Sequence, residues 1–282
     1  MIFSGKFRDP ELSPATGISC VIKQIKTTAT MKQTYLTVVL LIFTAAGLTA
    51  QPEAPMEMQH QMTEVWDPEV PVVTPGESPR EAPSDAIVLF DGEDLEREWT
   101  NSQGGKPGWM VENGCVTVVK GAGSILTKRV FEDVQLHIEW RTPSEVEGEG
   151  QGRGNSGIFL QERYEVQVLD SYDNRTYRNG QAASLYKQHA PEVNACKKPG
   201  EWQTYDIIYT APRFNEDGTY FTPPTVTVLH NGVLVQNHAE LRGPTVFIGI
   251  PEYSVERHGP GRIMLQDHNN PVSYRNIWVR EL

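Results

Sequence analysis

The chain has 282 residues, a net charge of −11, 38% hydrophobic residues, and 24 Gly with 20 Pro. The hydrophobic fraction excludes a disordered chain, and the Gly and Pro content excludes a helical bundle. The acidic balance argues against nucleic acid as a partner, because phosphate binding needs a basic surface.

The first fifty residues read as export apparatus rather than fold. Residues 1–30 show no period and are taken as an upstream extension. From Met31 the pattern changes: Lys32, then an apolar run from Leu36 to Phe43, then the small residues Ala45, Ala46, Gly47 and Ala50. A basic start, a short apolar centre and small residues before the cut describe a cleaved signal peptide, Met31–Ala50. The run is short for a membrane span, so no integral span is expected after cleavage. The expected location is the periplasm or the exterior of a Gram-negative bacterium. Five basic and two acidic residues lie in 1–50, so the remaining chain carries −14. In an oxidising compartment Cys115 and Cys196 are permitted to bridge, and the sequence leaves open whether they do. Residues 51–84 carry seven prolines, from Pro52 to Pro83, and read as an extended linker.

From about Asp85 to Leu282 the period is two, and one all-β domain is expected. Val134, Leu136, Ile138 and Trp140 share one face of a strand over 134–141, with Gln135, His137, Glu139 and Arg141 on the other. Tyr164–Leu169 repeats the alternation, with Val166 and Val168 opposite Glu165 and Gln167. Further strands are predicted over 87–90, 115–119, 156–161, 202–209, 225–229, 233–236, 262–266 and 274–280. Asn231-Gly232 marks a tight hairpin. Many strands separated by Gly/Pro turns predict a jelly-roll sandwich of two antiparallel sheets. A polar strand face in such a fold is either solvated or the floor of a groove.

The motifs narrow the chemistry. The glycine-rich run 148–157 is followed by an apolar strand and no helix, so it reads as a groove-rim loop and not a phosphate cradle. The seven histidines are scattered, with no metal-ligand spacing. No cofactor is called for, although a divalent metal such as calcium, held by distant strands, is left open. The sandwich-glycosidase spacing Glu-x-Asp-x-x-Glu is missing: Gln167 stands where Glu165 would require Asp. Tyr172, Tyr177, Tyr186 and Tyr253 fall in loops, where flat rings suit the apolar faces of sugars.

Eight segments in order carry a resemblance: Leu89-Phe-Asp-Gly92, Asn155-Ser-Gly-Ile158, Tyr164–Asp170, Ala183-Ser-Leu-Tyr186, Pro199-Gly-Glu-Trp202, His230-Asn-Gly-Val233, Leu265-Gln-Asp-His268 and Tyr274–Trp278. Over residues 85–282 the chain resembles the DUF1080 family of 3-keto-disaccharide hydrolases, 3-keto-glucoside 1,2-lyases and 3-keto-2-hydroxy-glucal hydratases. The resemblance implies a concanavalin- or LamG-like jelly roll, a 3-keto sugar as ligand, and cleavage of 3-keto-glycosides. In that chemistry a ketone at C3 acidifies the C2 proton, a base removes it, and the C1 substituent leaves. Water can then add, giving net hydrolysis. The site needs a base, a donor for the developing oxyanion and an acid for the leaving oxygen. Glu165 and His268 are the candidate proton-transfer residues, and Arg275 is the candidate oxyanion clamp. Asn155, Gln167, Tyr186 and Gln266 would orient hydroxyls, joined by Glu139 and Arg141. The competing reading is a non-catalytic carbohydrate-binding module that uses the same groove.

Overall fold

The computed structural model describes residues 57–252 and 256–282. The expected leader and Tyr253 lie outside the described residues. Residues 57–67 form a unit separate from Pro68–Leu282 and carry one 3-10 turn, His60–Thr63. Among the described residues no helix is long and apolar enough to cross a membrane.

The second unit is built from short strands: β1 (Ile87–Phe90), β2 (Trp99–Asn101), β3 (Met110–Glu112), β4 (Cys115–Thr117), β5 (Ile125–Thr127), β6 (Val134–Arg141), β7 (Ser156–Leu160), β8 (Tyr164–Val168), β9 (Gln203–Thr210), β10 (Arg213–Phe214), β11 (Tyr220–Thr222), β12 (Thr225–His230), β13 (Val233–Glu240), β14 (Met264–Leu265) and β15 (Ser273–Glu281). The larger sheet runs β13-β12-β9-β6-β15-β4-β3, with β1 also on β15; the smaller runs β2-β5-β14-β7-β8. All pairings are antiparallel, so the expected all-β sandwich of two antiparallel sheets is the fold observed. The β12–β13 hairpin turns at Asn231 (φ 53°) and Gly232 (φ 79°), the left-handed pair that a two-residue turn of matching twist requires.

Alternation decides what faces the core. Val134, Leu136, Ile138 and Trp140 of β6 are buried against Ile158, Leu160, Val166 and Val168 of the smaller sheet. Tyrosines of the larger sheet cross this core and satisfy their hydroxyls on the smaller one. Tyr205 donates to the Gln167 carbonyl (2.8 Å), Tyr209 to Gln161 Oε1 (2.8 Å) and Tyr274 to Ser156 Oγ (2.7 Å). These bonds tie the two sheets in one register, because each buried hydroxyl would be costly without its partner.

The outer face of β6 differs from both expectations for it. His137 and Glu139 are 1% and 2% exposed, neither solvated nor on a groove floor. A bulge in β15 between Arg275 and Trp278 puts Asn276 at φ 46° and turns both Arg275 and Asn276 toward Glu139. Arg275 Nε donates to Glu139 Oε2 (2.7 Å) and Asn276 Nδ2 to Oε1 (3.2 Å). His137 bonds Asp206 (2.6 Å) and stacks on Trp278, 5.0 Å between centroids. The segment before β1 covers this cluster: the Arg80 carbonyl accepts from Asn276 Nδ2 (2.8 Å) and Trp278 Nε1 (3.1 Å), and Asp85 pairs with Arg280. The end of the Pro-rich segment is therefore docked on the sheet, within the unit that runs from Pro68 to Leu282.

Cys115 and Cys196 are both free thiols. Burial pushes the Cys196 thiol up to about 12, so it is unreactive at neutral pH.

Candidate active site

The outer face of the smaller sheet carries a cavity of about 810 Å³. Its floor is β7 and β8. Gly157 and Phe159 pair across the strands with Gln167 and Glu165, and all four point away from the core that Ile158 and Val166 fill. The segment 183–186 runs beside β8 as an extra edge. Gln167 N donates to the Ser184 carbonyl (2.9 Å), Ala183 N to the Gln167 carbonyl (2.9 Å) and Tyr186 N to the Glu165 carbonyl (3.2 Å). The glycine-rich loop supplies Gln151 and Gly152 to the rim, as a groove-rim loop should. Asn155 Nδ2 donates to the Gln151 carbonyl (2.6 Å). Gln266 and His268 enter from the turn after β14. That turn is held by Asp267, which accepts from Gly123 N (3.0 Å) and Asn269 N (2.9 Å). Asn269 sits at φ 64°, a conformation asparagine tolerates better than most residues.

Glu165 is the unusual group. It is 5% exposed, and among the described residues no cation pairs with it. Burial disfavours its charged form and pushes it up to about 8. Its neighbour is the Gln167 amide, which fits two orientations. With the nitrogen inward, it donates to Glu165 Oε1 (3.0 Å) and the Ser156 carbonyl (3.2 Å). With the nitrogen outward, it approaches Gln151 Oε1 (3.2 Å) and Asn155 Oδ1 (3.4 Å). The first suits a carboxylate, which only accepts; the second leaves an oxygen to receive the proton of a neutral carboxyl. Gly157 makes room for this group: a Cβ there would run into Glu165 Oε1 and come within 2.9 Å of the Phe159 ring.

Another part of the lining is aromatic and cationic. Tyr177 and Tyr186 share a hydroxyl hydrogen bond (2.6 Å). Burial and that bond raise the Tyr186 phenol further above its ordinary value, so it stays a proton-bearing donor. The Lys187 ammonium lies 4.4 Å from the Phe247 ring centroid, 5.7 Å from Tyr186 and 6.0 Å from Tyr177, and donates to the Phe247 carbonyl. Gln266 also lines the cavity, and its Oε1 is buried without a hydrogen-bond partner.

The structure thus brings Glu165, His268, Asn155, Gln167, Tyr186 and Gln266 to one cavity. Arg275, Glu139 and Arg141 are not among its walls. The strand period explains why: Tyr274 and Trp140 face the core, so Arg275, Glu139 and Arg141 face out from the larger sheet, across the sandwich from Glu165. Arg275 neutralises Glu139 there, and both Arg141 and Arg275 stack on Trp202 (4.7 and 4.1 Å). Tyr172 is also outside the cavity. Asp170 behaves as a turn residue, accepting from Tyr172 N (3.2 Å) and Arg153 Nε (2.6 Å). Sequence reasoning missed Gln151, Phe159, Lys187, Thr245 and Phe247. Phe159 carried a signal, since it shares the outward parity of Gly157 on β7. The loop residues carried none. Among the described residues no three His, Cys, Asp or Glu side chains gather as metal ligands.

Residues 85–280 match the 3-keto-alpha-glucoside-1,2-lyase-like domain, and the chain belongs to that family. A crystal structure from Parabacteroides distasonis ATCC 8503, provisionally assigned to the glycosyl hydrolases, is 56% identical. It matches over 80% of this chain and 97% of its own length, with a TM-score of 0.76. A second protein of that organism, with the same provisional assignment, is 21% identical over 70% of this chain and 94% of its own, TM-score 0.50, and shares the fold. No curated protein matches. The family and its 56% identical neighbour place the chain among carbohydrate-active proteins.

Proposed function

We propose that the cavity on the smaller sheet cleaves 3-keto-glycosides by elimination, with Glu165 as the base. The carrying observation is a buried carboxyl group, unpaired with any cation among the described residues and pushed up to about 8, at the floor of a polar cavity in a domain of this family. A carboxylate of raised pKa is a stronger base than an exposed one, which suits removal of a carbon-bound proton. Glu165 takes the C2 proton, and the C2–H electron pair forms the C2–C3 double bond of an enolate with its charge on the C3 oxygen. That charge collapses to the ketone as the C1–O bond breaks, leaving a C1–C2 alkene. The departing oxygen takes a proton from His268 or solvent and leaves as the aglycone alcohol. Water adding across the alkene completes net hydrolysis. Tyr186, kept protonated, replaces Arg275 as donor toward the developing oxyanion. Asn155, Gln151 and Gln266 orient hydroxyls. The export expected from the leader would put this activity outside the cytoplasm.

The test compares a 3-keto-glucoside with the same glucoside unoxidised, using purified protein. Release of aglycone from the keto compound alone supports the reading. Release from both would assign an ordinary glycosidase. Release from neither, with saturable binding retained, would assign a binding module.

A further inference from the structure

The cavity's deep lining is polar and its exposed lining is aromatic. Asn155, Glu165, Gln167 and Tyr186 are buried, whereas Tyr177 and Phe247 are 40% and 70% exposed and form the rim. The loop carrying Phe247 is tied down at three points. Gln188 Nε2 donates to the Gly243 carbonyl (2.9 Å), Glu165 N to Thr245 Oγ1 (3.0 Å), and Lys187 Nζ to the Phe247 carbonyl. Its backbone is thus fixed beside the catalytic strand while its apolar side chains stay in water: Phe247 is 70% exposed, Ile248 86% and Ile250 78%. Large apolar side chains held in water next to a cavity mark a binding surface. Moreover, a cavity of 810 Å³ is far larger than one hexose ring needs.

We propose that the rim of Phe247 and Tyr177 is the aglycone subsite, and that it selects glycosides whose aglycone carries an apolar, aromatic ring. The inference rests on assigning the cavity to 3-keto-glycosides. The sugar lies over the hydroxyl-reading groups at Glu165, so its C1 substituent projects to the rim. A ring there stacks on Phe247 and covers apolar surface that is otherwise wet. The Lys187 ammonium, already among three rings, favours an aromatic aglycone over a small alkyl one through its attraction to a ring face.

The test measures calorimetric affinity of the full chain for 2-phenylethyl glucoside and ethyl glucoside, neither oxidised, so no turnover intervenes. The phenylethyl compound should bind about tenfold or more tightly. Phe247→Ala, at a largely exposed position that leaves the core intact, should shrink that ratio to about threefold or less. Equal affinities, or no binding of the phenylethyl glucoside, would overturn the proposal. Self-association by sedimentation that Phe247→Ala abolishes, with equal affinities, would assign the loop to a second copy of the chain instead. Because the readout is binding, a failure of turnover with 3-keto substrates would count against the elimination reading alone.

Discussion

A carboxyl group removed from water and given no cation keeps its proton longer, and that sets what Glu165 does with pH. In the free enzyme it must lose the proton before it can take one from carbon. Activity measured as kcat/KM should therefore rise with pH and level off above about 8. The linkage to stability has the opposite slope. Glu165 holds its proton more firmly folded than unfolded, so its contribution is full below its unfolded pKa and is lost as pH rises to about 8. Glu165→Gln should accordingly raise the Tm at pH 8 more than at pH 5, while lowering turnover by about 10² to 10⁴-fold. Paired melting and rate measurements check both. Glu139 is the contrasting carboxylate. Burial alone would raise it, but the His137 ring 3.9 Å away and hydrogen bonds from Arg275 and Asn276 outweigh that and hold it at about 2. Its contribution is present above its unfolded pKa and lost as pH falls toward 2. Arg275→Ala strands this buried charge and should cost roughly 3 kcal/mol by denaturant titration. Turnover at neutral pH should change little, because Arg275 is on the other side of the sandwich.

At the scale of elements, β7 and β8 were legible because their alternation is clean and their outward residues are polar. Parity alone put Glu165 and Gln167 on one face. The same rule placed Glu139 and Arg141 on one face of their strand, but parity within a strand does not say which sheet the strand joins. Two polar faces on opposite sheets therefore read as one groove. The strands β2, β3, β5, β10 and β11 were missed because two or three residues are too few to show a period. The loop residues Lys187 and Phe247 reach the site through tertiary contacts that leave no local pattern. A test belongs to β7 itself. Gly157→Ala meets only the movable end of Glu165 and the Phe159 ring, so the fold should survive with its Tm within a few degrees. The carboxyl must shift, and kcat should fall about tenfold or more, since small misplacements of a reacting group are costly.

At the scale of the whole molecule, the sandwich separates its two polar clusters by function. The cluster on the larger sheet is buried, ion-paired and sealed by the segment before β1; the one on the smaller sheet opens to solvent. The prolines of that segment gave no sign of docking, because its anchor is the Arg80 carbonyl, and a backbone acceptor is invisible in sequence. A chain beginning at Asp85 would leave Trp278 Nε1 and Asn276 Nδ2 without that acceptor. Compared with a chain beginning at Pro68, it should lose about 1–3 kcal/mol of stability and keep its specific activity.

The central claim is that Glu165 removes a proton from C2, and the most direct measurement follows that proton. A 3-keto-glucoside in deuterated water, incubated with wild-type protein and with Glu165→Gln, is analysed for aglycone release and for deuterium at C2. The account expects release by the wild type, with deuterium at C2 in the hydrated product or the recovered substrate. It expects neither from Glu165→Gln, which still binds the substrate. Release by the wild type without any deuterium at C2, or undiminished exchange by Glu165→Gln, would contradict it.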